Sequence, residues 1–409
     1  VDHARSIQGS DPSGTWGEAT AEPRPPRDFG YNGLRRFKPS EDTAPADTSP
    51  APTQHGVPLP KSTNRTSGPN RTGITQVAAH AGVSPATVSN VLNRPELVAE
   101  ATRTKVQEAI SELDYVRNSF GSSLRSGRST SVGLLVLDVT NPFFAEVARG
   151  IEEEAAESGL AVVLLNSAES PERQRRNLRL LAEQRVAGAV VMPVDNDLAD
   201  LLWLQRQGVH WVALDRGDVP EDVGSSVSVD NREGGLAAGQ HLLALGHRRV
   251  TFLGGAFAIE QVRLRYEGLR AAFDEAGLDP DEHVELVSLA QLNAHQGERA
   301  VDQVLLDSTG RRTRAVFCAN DQIALGFMKG LGKRGLRVPE DVSVVGYDDL
   351  SVADMVHPGL TTVAQPKYEL GRAAMQLLSA QMDGSGAAYE RKIFQPRLVM
   401  RDSTSALRD

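Results

Sequence analysis

From Ser131 to Tyr347, short unbroken apolar runs alternate with stretches of helical period, and few folds accommodate that alternation. The runs VGLLVL, AVVLLN, AGAVVMP and WVALD are separated by helical stretches at 144–158, 171–184 and 198–207. A second series follows, with helices at 232–245, 261–276, 295–306 and 322–334 between VTFLGG, VELVS, AVFCA and VSVVGY. A strand that is apolar on both sides needs cover on both faces, and intervening helices supply it, so the sheets are parallel. Two such series predict two α/β lobes. A ligand belongs between them, at the carboxyl ends of the strands.

Polar residues gather at those ends. Asp138 to Phe144 (DVTNPFF), Asn166-Ser167 and Asp215-Arg216 follow strands of the first lobe. In the second, Arg263 and Arg265 open a helix after Gly254-Gly255, Asn320-Asp321 follows AVFCA, and Asp348-Asp349 follows VSVVGY. Any one of them is equally well read as a helix cap or a surface charge. Their shared position in both lobes is the stronger signal. Carboxylates, amides and arginine opposite two aromatics suit a polyhydroxylated or heterocyclic small molecule. The glycines Gly330, Gly332 and Gly335 match a dinucleotide-binding spacing but close a helix instead of opening one, so they are read as a helix terminus. One cysteine and scattered histidines give no zinc-ligand spacing, and no nucleophile elbow is present, so no metal, cofactor or enzymatic activity is expected.

Ahead of the lobes, Gly73 to Asn93 (GITQVAAHAGVSPATVSNVLN) reads as two short helices about a tight turn. Thr75 is placed to cap the first helix, with Val77, Ala78 and Ala81 facing inward. Gly82 stands where the chain must bend, Ser84 caps the second helix, and Pro85 takes the first helical position. Val88, Val91 and Leu92 form the inward face and leave Thr87, Ser89, Asn90 and Asn93 outward. This is the helix-turn-helix pattern, whose second helix enters the major groove of DNA; an ordinary helical hairpin shares its geometry. A third amphipathic helix in ATRTKVQEAISELDYV, with Val106, Ala109, Ile110, Leu113 and Tyr115 inward, completes a small unit that gains from dimerisation.

Charge locates the partners. The net charge is −9, yet residues 1–72 hold 9 Lys and Arg against 8 Asp and Glu, and residues 73–129 hold 6 against 5. The acidity therefore belongs to the lobes, and the near-neutral helical unit predicts modest non-specific DNA affinity. Residues 1–72 carry 11 of the 22 prolines without apolar periodicity, which predicts a disordered extension. The single Cys318 fits a reducing compartment, no apolar run reaches membrane-spanning length, and no signal-like pattern opens the chain, so a cytoplasmic location is expected. Residues 117–130 (RNSFGSSLRSGRST) read either as a plain linker or as a hinge that folds on DNA. In the second reading Leu124 wedges into the minor groove and Arg125 and Arg128 meet phosphates.

In order, ITQVAAHAGVSPATVSNVLN, the leucine-bearing hinge, NPFFAEVARGIE, ALDRG, VDNREGG, LLALGHRRVTFLGG, RLRYEGL, VFCANDQIALGF, GLRVPEDVSVVGYDD and LTTVAQP resemble the LacI/GalR family of transcriptional regulators over residues 73 to about 402. The resemblance implies an N-terminal all-α helix-turn-helix DNA-binding domain (73–117) and a hinge helix (118–130). It implies a two-lobed, periplasmic-binding-protein-like α/β core with parallel sheets (131–409), crossed between lobes near 230, 364 and 394. It implies a homodimer on a near-palindromic double-stranded operator. Thr75, Ser84, Pro85, Ala86, Thr87, Ser89, Asn90, Asn93, Leu124 and Arg125 fall on the DNA-facing side, with Asn90 the expected base reader through adenine. Phe143, Arg265, Asn320 and Asp348 match effector-contacting positions, with Phe144, Asp215, Arg216 and Leu292 beside them. The effector is expected to be a carbohydrate, with a nucleobase as the alternative. A solute-binding protein would share the core but lack residues 73–129.

Overall fold

The computed structural model describes residues 72–116, 129–195, 197–255, 257–305, 313–385 and 388–407. Nearly all of the extension read for 1–72 and of the hinge read for 118–130, including Leu124, Arg125 and Arg128, lies outside the described residues.

The helical unit comprises α1 (Ile74–Ala81), α2 (Pro85–Asn93), a 3-10 turn (Pro95–Leu97) and α3 (Glu100–Glu112). Val77, Ala78, Val88, Val91, Val106 and Ala109 close its core, with Ile110, Leu113 and Tyr115 packed at the rim. Gly82 takes the left-handed conformation (φ 66°) and donates its N–H to the last carbonyls of α1, which is the bend the sequence requires there. Ser84 caps α2 by accepting from the Thr87 N–H, with Pro85 at the first position. Thr75 does not cap α1. Gly73 is the cap residue, and its N–H is taken by Gln76 Oε1 at 2.7 Å. A side chain three residues on can reach back over the first turn, whereas Thr75 already lies within it.

The first lobe carries β1 (Ser131–Val136), α4 (Pro142–Glu157), β2 (Ala161–Asn166), α5 (Pro171–Glu183), β3 (Gly188–Val191), α6 (Ala199–Arg206), β4 (His210–Leu214) and β5 (Ser225–Val229). The second carries α7 (Asn231–Ala244), β6 (Val250–Gly254), α8 (Glu260–Glu275), α9 (Pro280–His283), β7 (Val284–Ser288), α10 (Ala294–Arg299), α11 (Val301–Val304), β8 (Ala315–Cys318), α12 (Asp321–Lys333), β9 (Ser343–Asp348), α13 (Ser351–Met355) and β10 (Thr361–Ala364). The chain then returns through α14 (Lys367–Met382) to β11 (Arg391–Phe394), and crosses again to β12 (Arg397–Val399).

Among the described residues the strands form two six-stranded sheets, ordered β11-β5-β4-β3-β1-β2 and β12-β10-β9-β8-β6-β7. Every pairing is parallel except β10 with β12, where Thr362 faces Val399. α14 packs on α4 and over β3, β4 and β5, so it covers the first sheet although it follows the second in sequence. The chain thus passes between the sheets at 230, at 365–366 and at 395–396.

Two elements differ from the sequence pattern. β5 is a buried inner strand whose sequence, SSVSV, is mostly serine. Ser225 Oγ accepts from Glu390 N at 3.1 Å and Gln381 Nε2 at 2.9 Å, whereas Ser226 Oγ is buried without a hydrogen-bond partner among the described residues. The helix read for 295–306 is two short helices, with Ala300 ending one and starting the next. Gly330 and Gly332 lie inside α12, and Gly335 turns the chain beyond it with φ 71°, as a helix terminus should.

Candidate functional sites on the second helix and at the seam between the lobes

On the helical unit, Thr75, Ser84, Pro85, Ala86, Asn90 and Asn93 are exposed, and Thr87 and Ser89 are half-buried. Several of these side chains already serve the helix. Thr87 Oγ1 lies 2.9 Å from Ser84 Oγ, and Asn93 Nδ2 donates to Ser89 O at 2.7 Å. Asn90 is different: its exposed amide has no hydrogen-bond partner among the described residues.

At the seam, the carboxyl ends of both sheets bring Asp215, Arg265, Asn320 and Asp348 into one buried group. Asp215 follows β4 and Asp348 ends β9, with φ of 55° and 115°. Left-handed backbone at a non-glycine residue is costly, and tertiary contacts must hold it. For Asp215 the holders come from both sides of the seam. Its backbone N–H donates to Val227 O at 2.7 Å, and Gln261 Nε2 of α8 donates to its Oδ2 at 2.9 Å. Asp348 accepts from Gln365 Nε2 at 2.7 Å, while Lys367 Nζ donates to the carbonyls of Asp348 and Asp349 at 2.7 and 2.8 Å. Arg401 Nη2 fixes the Asp349 carboxylate at 2.8 Å.

Arg265 is the hub. Its Nε donates to Asn231 Oδ1 at 2.8 Å and its Nη1 to Ala319 O at 2.7 Å. The guanidinium lies 3.6 Å over the Tyr347 ring and 3.9 Å from Asp348 Oδ1. Burial pushes the Asp215 carboxyl above its usual range, opposed by Arg265 and by the hydrogen bonds from Gln261 and Asn231. Burial raises Asp348 in the same way, opposed by Arg265 and Gln365. Burial also raises the Tyr347 phenol above its ordinary value. Among the described residues, four buried polar atoms have no hydrogen-bond partner, and two of them, Tyr347 OH and Gln365 Oε1, belong to residues beside this group. An unsatisfied buried acceptor is costly, and the Tyr347 hydroxyl packs against Gly234 of α7.

Asn320 and the sequence-read residues around this group have partners of their own. Asn320 caps α12 by accepting from Ile323 N at 2.9 Å and donates to Leu292 O at 3.0 Å, so its amide is engaged at both ends and Leu292 contributes its carbonyl. Arg216 turns to Asp195 O at 2.7 Å and to Asp218. Phe143 and Phe144 open α4 in an edge-to-face pair, centroids 5.2 Å apart, and both belong to the apolar core. Further links span the seam. Gly217 N donates to Glu260 Oε2 at 3.2 Å, Gln322 Nε2 donates to Thr140 O at 3.1 Å, and Glu169 accepts from the Leu292 backbone. Asn231, Gln261, Gln365 and Lys367 were missed in the sequence. Asn231, Gln365 and Lys367 stand at the crossovers that follow β5 and β10, and Gln261 is the second residue of α8.

A helix-turn-helix unit on the same chain as a two-lobed α/β core with a polar seam defines a ligand-regulated DNA-binding protein. Residues 73–118 match the family model described as bacterial regulatory proteins, lacI family, and residues 239–404 match the periplasmic binding protein-like domain. The HTH-type transcriptional repressor PurR of Vibrio cholerae serotype O1 is 37% identical over 339 residues, covering 82% of this chain and 98% of the relative. A structure of the lac repressor dimer bound to operator and the anti-inducer ONPF superposes with a TM-score of 0.70 at 28% identity, over 82% of this chain and 100% of that one. The transcriptional regulator CelR in complex with cellobiose superposes with a TM-score of 0.61 at 33% identity, over 81% of this chain and all of that one. The chain belongs to the LacI family of bacterial regulatory proteins and is a DNA-binding transcriptional regulator.

Proposed function

We propose that this regulator is a homodimeric, cytoplasmic repressor that acts by binding alone, and that a sugar held between its lobes sets its operator affinity. The observation that carries the reading is the buried seam group, in which acceptor-only carboxylates from both lobes, Asp215 and Asp348, flank Arg265. Carboxylates accept from vicinal hydroxyls, and a guanidinium donates to ring or hydroxyl oxygens, so the set suits a polyol.

The purine repressors among the relatives support a second reading, a nucleobase effector. The aromatic groups favour the sugar. A nucleobase is bound best by stacking, yet one face of Tyr347 is covered by Arg265, and Phe143 and Phe144 spend their contact on each other and on the core.

Thermal unfolding over a panel of sugars and purine bases separates the readings, because a ligand that binds the native state raises the melting temperature by mass action. A sugar is expected to give the shift, and Asp348→Ala or Arg265→Ala to abolish it. A shift with a purine base alone would sink the sugar reading. For DNA, a gel shift on upstream fragments is expected to show lost discrimination, by about 1–3 kcal/mol per contacted base pair, in Asn90→Ala.

A further inference from the structure

We propose that the first lobe carries a second small-molecule site, at the end of its sheet opposite the seam, which takes a zwitterion with an apolar body, such as a free amino acid. This site is independent of the sugar reading above.

A cavity of about 1010 Å³ opens at the amino ends of the strands of this lobe. Ser129 precedes β1, Leu160 precedes β2, Ala187 precedes β3 and His210 begins β4, and all four line it. These strands run parallel, so this is the end away from the seam, where Asp215 follows β4. The volume lies at the upper end of the range for small-molecule sites.

The lining carries charge of both signs. Arg179, Arg185 and His210 share it with Glu183 and Asp383, beside the half-buried Trp203 and the buried Val209. Among the described residues none of those five charged or titratable side chains has a hydrogen bond or ion pair. Ser379 Oγ, on the same wall, is buried and also without a partner. Four helices end here. α4, α6 and α14 turn out through left-handed glycines, Gly159, Gly208 and Gly384, with φ of 68°, 81° and 69°. α5 instead turns through Arg185 at φ 53°. A glycine would avoid that backbone cost, so the position is used for its side chain.

The set sorts the two charges of a zwitterion. Arg179 and Arg185 offer planar donor forks to a carboxylate. Glu183 and Asp383 accept from an ammonium, which the carbonyl ends of the four helices also favour. Trp203 and Val209 give an apolar body something to pack on. A ligand of one sign would satisfy one pair of side chains and repel the other. Ser129 also marks where the chain from the helical unit enters the lobe, so occupancy is expected to change operator affinity.

Calorimetry on the full chain tests phenylalanine and leucine, each against the amine and the acid that lack one of its charges. An amino acid is expected to bind at least tenfold more tightly than either single-charge partner. Arg179→Gln with Arg185→Gln, and Glu183→Gln with Asp383→Asn, are each expected to remove that advantage. All four side chains are exposed, and a melting curve of each unliganded variant verifies its fold. No binding by any probe, or equal binding by the amine or the acid, overturns the site. Binding that both double variants leave intact and Asp348→Ala abolishes places the ligand at the seam and overturns it too. A gel shift on an upstream fragment is expected to change at least threefold with saturating amino acid; binding without such a change overturns the regulatory role alone.

Discussion

Asp321 shows how a residue beside a binding group can govern stability without touching a ligand. It is fully buried at the start of α12, where Oδ2 accepts from Leu350 N at 2.8 Å and Oδ1 bonds the Thr362 hydroxyl at 2.5 Å. Burial, and then the neighbouring Asp348 charge, push its carboxyl well above the ordinary aspartate value of 3.8. A group whose folded pKa is raised binds its proton more tightly in the native state. Its stabilising effect is therefore complete below the unfolded value and is lost as the pH rises through the folded one. Asp215, Asp348, Glu169 and Glu260 are shifted the same way, so they add to the same slope. In Asp321→Asn the amide oxygen can still accept from Leu350 N, and its N–H₂ can donate to Thr362. The variant is expected to lose less stability than wild type between pH 5 and pH 8, measured as melting temperature against pH, and parallel profiles would refute this. Asp321 was read in the sequence only as part of a strand-end pair with Asn320. Both turn out to hold the site together, Asn320 as a cap and Asp321 as a clamp on β10 and on the loop after β9.

At the scale of elements, α7 and α8 carry Asn231 and Arg265 to the seam, and their close crossing depends on small residues. A Cβ on Gly268 would stand 2.0 Å from Arg232 O, and one on Gly235 would stand 2.1 Å from Arg265 O. The α4–α14 pair, which ties the returning helix to the first lobe, repeats the arrangement with Gly150 against Tyr368 O at 2.2 Å and Gly371 against Val147 O at 2.1 Å. Backbone cannot yield as a side-chain end can, so Gly268→Ala must move one helix off the other. The variant is expected to lose about 1–3 kcal/mol, the usual cost of overpacking, in chemical denaturation. It is also expected to bind effector more weakly, because Arg265 moves with α8. In the sequence these glycines only lower helix propensity, and nothing local says that another helix lies against them. The same limit hid β5: a serine-rich strand has no apolar run, and only its place between β4 and β11 makes it an inner strand.

For the whole molecule, β2 and β7 are edge strands at corresponding positions of the two sheets, and each exposes apolar surface, Leu164 at 46% and Leu286 at 37%. Exposed apolar edge strands invite association unless something covers them, and a second copy of the chain is the cover the proposed homodimer would supply. Leu164→Glu is expected to shift the protein toward monomer in sedimentation and to weaken operator binding, since each half-site then loses its tethered partner. An unchanged dimer would place the interface elsewhere. Among the described residues no helix is long and apolar enough to cross a membrane.

The sequence by itself determined the parts that depend on near neighbours. Apolar runs between helical stretches specified parallel sheets in two lobes, and Ser84, Pro85 and Gly82 specified where the second helix begins and the chain bends. It also placed Asp215, Arg265, Asn320 and Asp348 at strand ends, because the reversal of polarity there is local. Only the tertiary structure decided which of those ends meet. Gln261 reaches Asp215 from 46 residues away and across the seam, and Gln365 reaches Asp348 from the crossing segment after β10. Periodicity reports which face of an element is covered and carries no information about what covers it. The strand order and the three crossings between sheets fix that, and with it the chemistry of the seam.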